Sequence, residues 1–67
     1  MKKPIYQMIL YFSKPLPEIG LTASIKGRTI PELELRLEWY KRKMVERDLT
    51  ASVELIKDNK IVKNFKI

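Results

Sequence analysis

The sequence has no cysteine and no histidine among its 67 residues. Without cysteine, the chain forms no disulfide, no thiolate zinc site and no thiol nucleophile. Without histidine, it lacks the commonest general base and the commonest zinc ligand. We therefore expect no metal site and no cofactor.

Long apolar runs and glycine-rich loops are also missing. The longest apolar run, Met8–Phe12, is too short to cross a bilayer, and no signal-peptide pattern follows the first three residues. Neither glycine, Gly20 or Gly27, belongs to a phosphate-binding loop. These features predict a soluble, cytoplasmic protein that does not act at a membrane.

The residues that remain are poorly suited to catalysis. The carboxylates are scattered along the chain, whereas paired-acid chemistry needs two of them in one cleft. Glu34 and Glu38 have a helical spacing that suits a metal, but no third ligand is near, which favours a solvated face. The serines have no histidine to activate them. We expect a protein that is not an enzyme and has no small-molecule substrate.

The clearest element is a helix over about residues 30–47. Thr29 and Glu32 form a capping box, in which the Thr29 hydroxyl accepts from the Glu32 N–H and the Glu32 carboxylate from the Thr29 N–H. Pro31 suits the first turn, where its missing N–H costs nothing. Apolar residues then recur at helical spacing on one face: Ile30, Leu33, Leu37, Tyr40 and Met44.

Four segments have the pattern of strands. Pro4–Ser13 is apolar on both alternating sides, which is typical of a strand in the middle of a sheet. Leu21–Arg28 and Leu49–Lys57 alternate as half-buried strands do. Ile61–Ile67 places Ile61, Phe65 and Ile67 on one face, a row that Lys63 interrupts. Lys14–Gly20 is predicted as a loop, and Asp58-Asn59 as the centre of a two-residue hairpin turn.

This order predicts a single α+β domain over residues 1–67. We expect a ββαββ two-layer sandwich, with one helix on a four-stranded, mainly antiparallel sheet of order 2-1-3-4. The apolar first strand then lies in the middle of the sheet. An order of 1-2-3-4 with a parallel centre is the alternative, and it leaves the two apolar faces of the first strand unexplained.

The net charge of +6 is the strongest hint of function. A basic surface favours nucleic acid or another negative partner, although it also simply keeps a small protein soluble. Arg36, Lys43 and Arg47 share one helix flank and suit phosphates. Structural explanations of the same residues are also available. Basic residues in the second half of the helix suit its dipole, and lysines on edge strands discourage aggregation. The candidate nucleic-acid-binding residues are Lys26, Arg28, Arg36, Lys41, Arg42, Lys43 and Arg47.

Two sets of apolar residues exceed the needs of a simple core. Leu35 and Trp39 lie one turn apart on the helix side opposite its buried face, and tryptophan often anchors interfaces. Alternatively, Trp39 folds over Lys43 or Arg42, or packs on the Lys14–Gly20 loop. The second set lies on the sheet face away from the helix: Ile5, Ile9, Tyr11, Ile56 and Val62. A homodimer would cover that face and enlarge a small core.

Two functions remain open. In the first, a small non-catalytic factor with a regulatory or accessory role binds DNA or RNA phosphates through its basic surface. In the second, the chain is a protein-interaction module or small inhibitor that docks through Leu35 and Trp39 or through the open sheet face.

Overall fold

The computed structural model describes residues 5–67 and contains one helix on a four-stranded sheet. The elements are β1 (Tyr6–Leu16), β2 (Gly20–Gly27), α1 (Ile30–Glu46), β3 (Ala51–Lys57) and β4 (Lys60–Lys66). The strand order is β2-β1-β3-β4, and every neighbouring pair is antiparallel. The predicted α+β sandwich and its strand order are confirmed. The predicted start of the first strand at Pro4 lies outside the described residues.

The core lies between α1 and the sheet, and β1 runs through its middle. Met8, Leu10 and Phe12 of β1 point into it, while Ile9 and Tyr11 alternate to the other side. Within residues 5–67, every buried side chain is apolar. The remaining buried residues are Leu16, Ile25, Leu33, Leu37, Met44, Ala51, Val53 and Leu55.

Strand β1 extends further than its sequence pattern indicates. It was predicted to end at Ser13, but it continues to Leu16, whose side chain is only 3% exposed. The pairing with β2 is interrupted between Tyr11 and Leu16, and this irregular stretch accommodates Pro15, which has no N–H to donate. The predicted loop over 14–20 is therefore wrong at both ends, because Gly20 already begins β2.

The capping box at the start of α1 forms as predicted at Thr29, but the Glu32 carboxylate has a different hydrogen-bond donor. The Thr29 hydroxyl accepts a hydrogen bond from the Glu32 N–H at 3.4 Å, as predicted. The Glu32 carboxylate accepts from the N–H of Arg28 at 3.3 Å rather than from that of Thr29. Gly27 makes this approach possible, since a Cβ there would lie 3.1 Å from the Glu32 carboxyl carbon and 3.2 Å from a Leu33 methyl.

The end of α1 is a Schellman motif. The Asp48 N–H donates to the Val45 carbonyl at 3.3 Å, and the Leu49 N–H donates to the Met44 carbonyl at 2.9 Å. This arrangement places Asp48 in the left-handed region, with φ of 55°. The helix therefore ends at Glu46, one residue before the predicted boundary.

The β3–β4 hairpin turns at Asp58 and Asn59, whose φ angles of 51° and 66° confirm the predicted two-residue turn. The pairing then shifts between Leu55 and Ile56, so that Ile61 lies opposite Ile56. Paired residues share a face, so Ile61 points away from α1 and is 58% exposed. Its predicted placement with Phe65 on the helix side is wrong because one extra residue enters β4.

Helix α1 packs across β2 and β1 rather than over the centre of the sheet. The two flanks of the helix therefore differ. One borders the β2 edge and the β1–β2 turn, and the other faces an open groove above β3 and β4. This lateral offset positions the candidate sites.

Candidate nucleic-acid interface

The flank of α1 beside β2 carries three cationic side chains and an indole, which we call the basic flank: Arg36, Trp39, Lys43 and Arg47. Positions spaced by three, four and seven fall on one side of a helix of 3.6 residues per turn. Arg36 and Trp39 line one depression against β2, and Trp39, Lys43 and Arg47 line the next against the β1–β2 turn. The structure thus brings together the three residues predicted as a phosphate-binding stripe.

Arg36 ties the basic flank to the edge of the sheet. Its Nη1 donates to the carbonyl of Lys26 at 3.3 Å, and its Nη2 lies 4.0 Å from Oε1 of Glu32. The Arg36 side chain is nevertheless 59% exposed. An exposed ion pair of this length contributes little free energy. Arg36 therefore keeps guanidinium donors that face solvent.

Trp39 lies in the middle of the basic flank. The Nζ of Lys43 lies 5.5 Å from the Trp39 ring centroid, a cation–π distance, and the ring meets Tyr40 edge-on at 4.9 Å between centroids. The indole also borders a depression of about 320 Å³ formed with Leu16 and Pro17. Trp39 thus contacts Lys43 and also borders the β1–β2 connection, as the two structural alternatives predicted. The residue is nevertheless 50% exposed.

The other predicted phosphate-binding residues are dispersed. Lys41 lies on the opposite flank, with its Nζ 3.6 Å from Oε1 of Glu38. Arg42 is exposed on the outward side of α1. Lys26 pairs with Gln7 and points to the far side of the sheet, and Arg28 precedes the helix. The prediction grouped residues that the fold places on separate surfaces.

Sequence reasoning missed the groove between α1 and the β3–β4 hairpin, which has a volume of about 310 Å³. Its apolar floor includes Leu37, Leu55 and Phe65, and Glu34 and Lys63 are among its polar lining residues. A signal was present, because a lysine interrupts the helix-facing row of β4 at Lys63. That interruption is expected where no helix covers the strand.

The predicted protein-interface residues form two separate surfaces. On α1, Leu35 is 76% exposed beside Trp39. On the sheet, the apolar residues that point away from α1 form what we call the outer sheet face: Ile5, Ile9, Tyr11, Ile56 and Ile61. Ile9 and Ile56 are half-buried, whereas the others in this set are exposed. The structure adds Ile61 to the predicted residues of this face. The predicted interface residue Val62 is the extra residue of β4, has no partner in the strand register and is 55% exposed.

Polar side chains interleave with the apolar ones across the outer sheet face, and by register they are Gln7, Thr22, Ser24, Lys26, Ser52, Glu54, Asn64 and Lys66. The Gln7 side-chain amide donates to the Ser24 hydroxyl at 2.9 Å. On the same face, the pKa of the Tyr11 phenol is raised above its usual value of 10.0, chiefly by polar interaction with the Glu54 carboxylate, then by desolvation and by the charge of Glu54.

Comparisons with protein-family models, curated proteins and solved structures give no match to this chain. Over residues 5–67, no three acidic side chains converge on a possible metal position. No helix in the same part of the chain is long and apolar enough to span a membrane. Any assignment of function therefore depends on the surfaces described above.

Proposed function

We propose that this protein is a non-catalytic nucleic-acid-binding factor of the cytoplasm that engages phosphates through the basic flank. The observation that carries the proposal is the half-exposed indole of Trp39, set between Arg36 on one side and Lys43 and Arg47 on the other. Cations that follow a backbone, interleaved with an aromatic ring on which a base stacks, are the means by which proteins bind single strands. The role that we propose for it is regulatory or accessory.

The length of the basic flank limits the number of phosphates that it can contact. Arg36 and Arg47 are eleven residues apart, which corresponds to roughly 16 Å along a helix. Three cations neutralise at most three phosphates, so the log of the association constant should fall with the log of salt concentration with a slope of about −2 on a single strand. A short footprint also means modest affinity.

The salt dependence is the direct test. The wild-type protein is titrated with a mixed-sequence single strand, and separately with a duplex, at several salt concentrations while the fluorescence of the only tryptophan is followed. We expect quenching of Trp39 by the single strand and a slope of about −2. Absence of binding to either nucleic acid at low salt would refute the proposal.

A second candidate, a protein-interaction module or small inhibitor, is favoured by one observation. Leu35 is 76% exposed next to Trp39, and large exposed apolar side chains at one helical turn often anchor a partner. Binding through this pair would weaken with Leu35→Ala and change little with salt. Nucleic-acid binding by the basic flank would show the opposite dependence, so salt dependence and the effect of Leu35→Ala together separate the two functions.

A further inference from the structure

The depression of about 320 Å³ between α1 and the β1–β2 turn has the dimensions of a small ligand site, and we call it the turn pocket. Residues 16–19 form one side of it, and Trp39, Lys43 and Arg47 form the other. Ligand pockets in proteins have volumes of roughly 300–1,000 Å³. The turn pocket lies at the lower end of that range and therefore suits a single nucleotide better than a larger ligand.

The turn pocket combines an aromatic ring, two cations and a carboxylate. Trp39 is 50% exposed, Lys43 and Arg47 follow it on α1, and Glu18 comes from the opposite side. Over residues 5–67, the structure contains no ion pair between Glu18 and either of these cations. The carboxylate and the cations therefore remain available to different parts of one ligand.

The backbone of the β1–β2 turn fixes the position of Glu18. Leu16 is only 3% exposed, and its carbonyl accepts a hydrogen bond from the N–H of Ile19 at 3.2 Å. Glu18 between them has a φ of 66°, a left-handed conformation in which glycine, asparagine and aspartate are more common than glutamate. Residues held in such conformations cluster at ligand-binding sites.

We infer that the turn pocket binds a guanine base of a single strand. The base stacks on Trp39, the Glu18 carboxylate accepts hydrogen bonds from the N1–H and the N2 amino group of guanine, and Lys43 and Arg47 bind neighbouring phosphates. Guanine recognition of this kind presupposes the nucleic-acid binding proposed above.

The carboxylate determines the choice of base. An ionised carboxylate only accepts hydrogen bonds, and its two oxygens match two adjacent N–H donors. Guanine has such a pair on its Watson–Crick edge. Adenine, cytosine and thymine each place an acceptor beside their donor on that edge, so one oxygen of Glu18 would face a lone pair. Sites that hydrogen-bond a donor reject analogues that lack it.

Stacking of a base requires only a small rearrangement of the turn pocket. The Nζ of Lys43 lies 5.5 Å from the centroid of the Trp39 ring. An exposed cation–π contact is weak, and the lysine side chain is flexible, so the ammonium group can move from the indole to a phosphate of the strand.

The test compares short thymidine oligonucleotides that carry one central guanine, hypoxanthine or adenine. Hypoxanthine keeps the N1–H of guanine but lacks the N2 amino group. We expect the guanine strand to bind about tenfold or more tightly than the adenine strand, with the hypoxanthine strand between them, as measured by anisotropy at low salt. Glu18→Gln should abolish most of this preference. Glu54→Gln is the matched control, because it removes a carboxylate from the outer sheet face, and it should leave the preference unchanged.

Equal affinities for the three strands would overturn the inference, yet leave the proposed function standing if all three bind with the expected salt dependence. Failure of every strand to bind at low salt would refute the proposed function as well. A guanine preference that Glu18→Gln retains would also overturn the assignment. Amide spectra of the wild type give a measurement that needs no variant: signals of residues 16–19 should shift more with the guanine strand than with the adenine strand, and equal shifts would contradict the inference.

Discussion

Asp48 holds a backbone conformation that glycine adopts more easily. Its φ of 55° is required by the Schellman motif that ends α1. An L-residue in the left-handed region costs free energy, and a carboxylate at a helix C-terminus opposes the dipole. Relief of the left-handed conformation, worth about 1–2 kcal/mol, is partly offset by the greater chain entropy of glycine, about 0.5–1 kcal/mol. We predict that Asp48→Gly raises the free energy of unfolding by about 0.5–1 kcal/mol, as measured by urea denaturation.

Asp48→Ala separates the two causes. Alanine removes the carboxylate but keeps the cost of positive φ, so it should stabilise the protein less than glycine does or destabilise it. Equal stabilisation by both variants would show that the charge, and not the backbone, limits stability at this position.

The pKa of Tyr11 depends on Glu54, which lies on the same outer sheet face. The Tyr11 pKa is raised above 10.0 chiefly by interaction with the Glu54 carboxylate. Because the folded-state pKa exceeds the unfolded value, the contribution of Tyr11 to stability is fully present below the unfolded pKa and is lost as pH rises through the folded one. We predict that Glu54→Ala returns the pKa of Tyr11 towards 10.0, as measured by NMR titration of the tyrosine rings.

Glu46→Ala is the control for this titration, since it removes a carboxylate from α1 instead of from the outer sheet face. It should leave the pKa of Tyr11 unchanged. An unaltered Tyr11 pKa in Glu54→Ala would refute the assigned cause.

Local turn chemistry was the most predictable feature at the scale of residues. Asp58 and Asn59 adopt the positive φ that their sequence predicts, because that preference is local. The misplacement of Ile61 has a different origin. A single extra residue in β4 reverses the side to which it points, and bulges depend on pairing with the neighbouring strand.

At the scale of elements, α1 has one face that stabilises the fold and another that is free to bind. Leu33 is 0% exposed and Leu35 is 76% exposed. We predict that Leu33→Ala lowers the free energy of unfolding by about 2–5 kcal/mol through lost burial and a cavity. A chain of this size has a total stability of roughly 3–10 kcal/mol, so the variant should lose a large share of it, as measured by urea denaturation.

Leu35→Ala is the paired measurement for this prediction. It should change the free energy of unfolding by no more than about 0.5 kcal/mol, because Leu35 is already in water. A large destabilisation by Leu35→Ala would mean that the outward side of α1 is covered in solution.

The existence and order of the elements followed from sequence, whereas their exact extents did not. The two apolar sides of β1 predicted its central position, because strands in the middle of a sheet tend to be apolar on both sides. In the structure α1 covers only one of these sides. Lys14-Pro15-Leu16 resembled a loop, yet Leu16 enters the core at the end of β1. Pro15 lies where the pairing with β2 is irregular. The burial of Leu16 depends on tertiary packing, which the local sequence pattern does not show.

At the scale of the whole molecule, the lateral offset of α1 determines which side chains lie on the same surface. Because the helix lies over β2 and β1, Arg36 reaches the β2 edge while Lys41 faces an open groove. Helical spacing alone predicted that Arg36, Lys43 and Arg47 lie on one flank. It could not separate Lys26 from them, since the sheet face to which Lys26 points depends on strand register.

We propose that the position of the basic flank, and not net charge alone, determines binding of nucleic acid. Lys43→Gln/Arg47→Gln and Lys60→Gln/Lys66→Gln remove equal charge, the first pair from the basic flank and the second from β4. Anisotropy of a labelled single-stranded oligonucleotide at low salt compares their affinities. We predict a loss of about tenfold or more for the first variant and a small change for the second. Equal losses in both variants would show that net charge alone, and not the basic flank, determines the affinity.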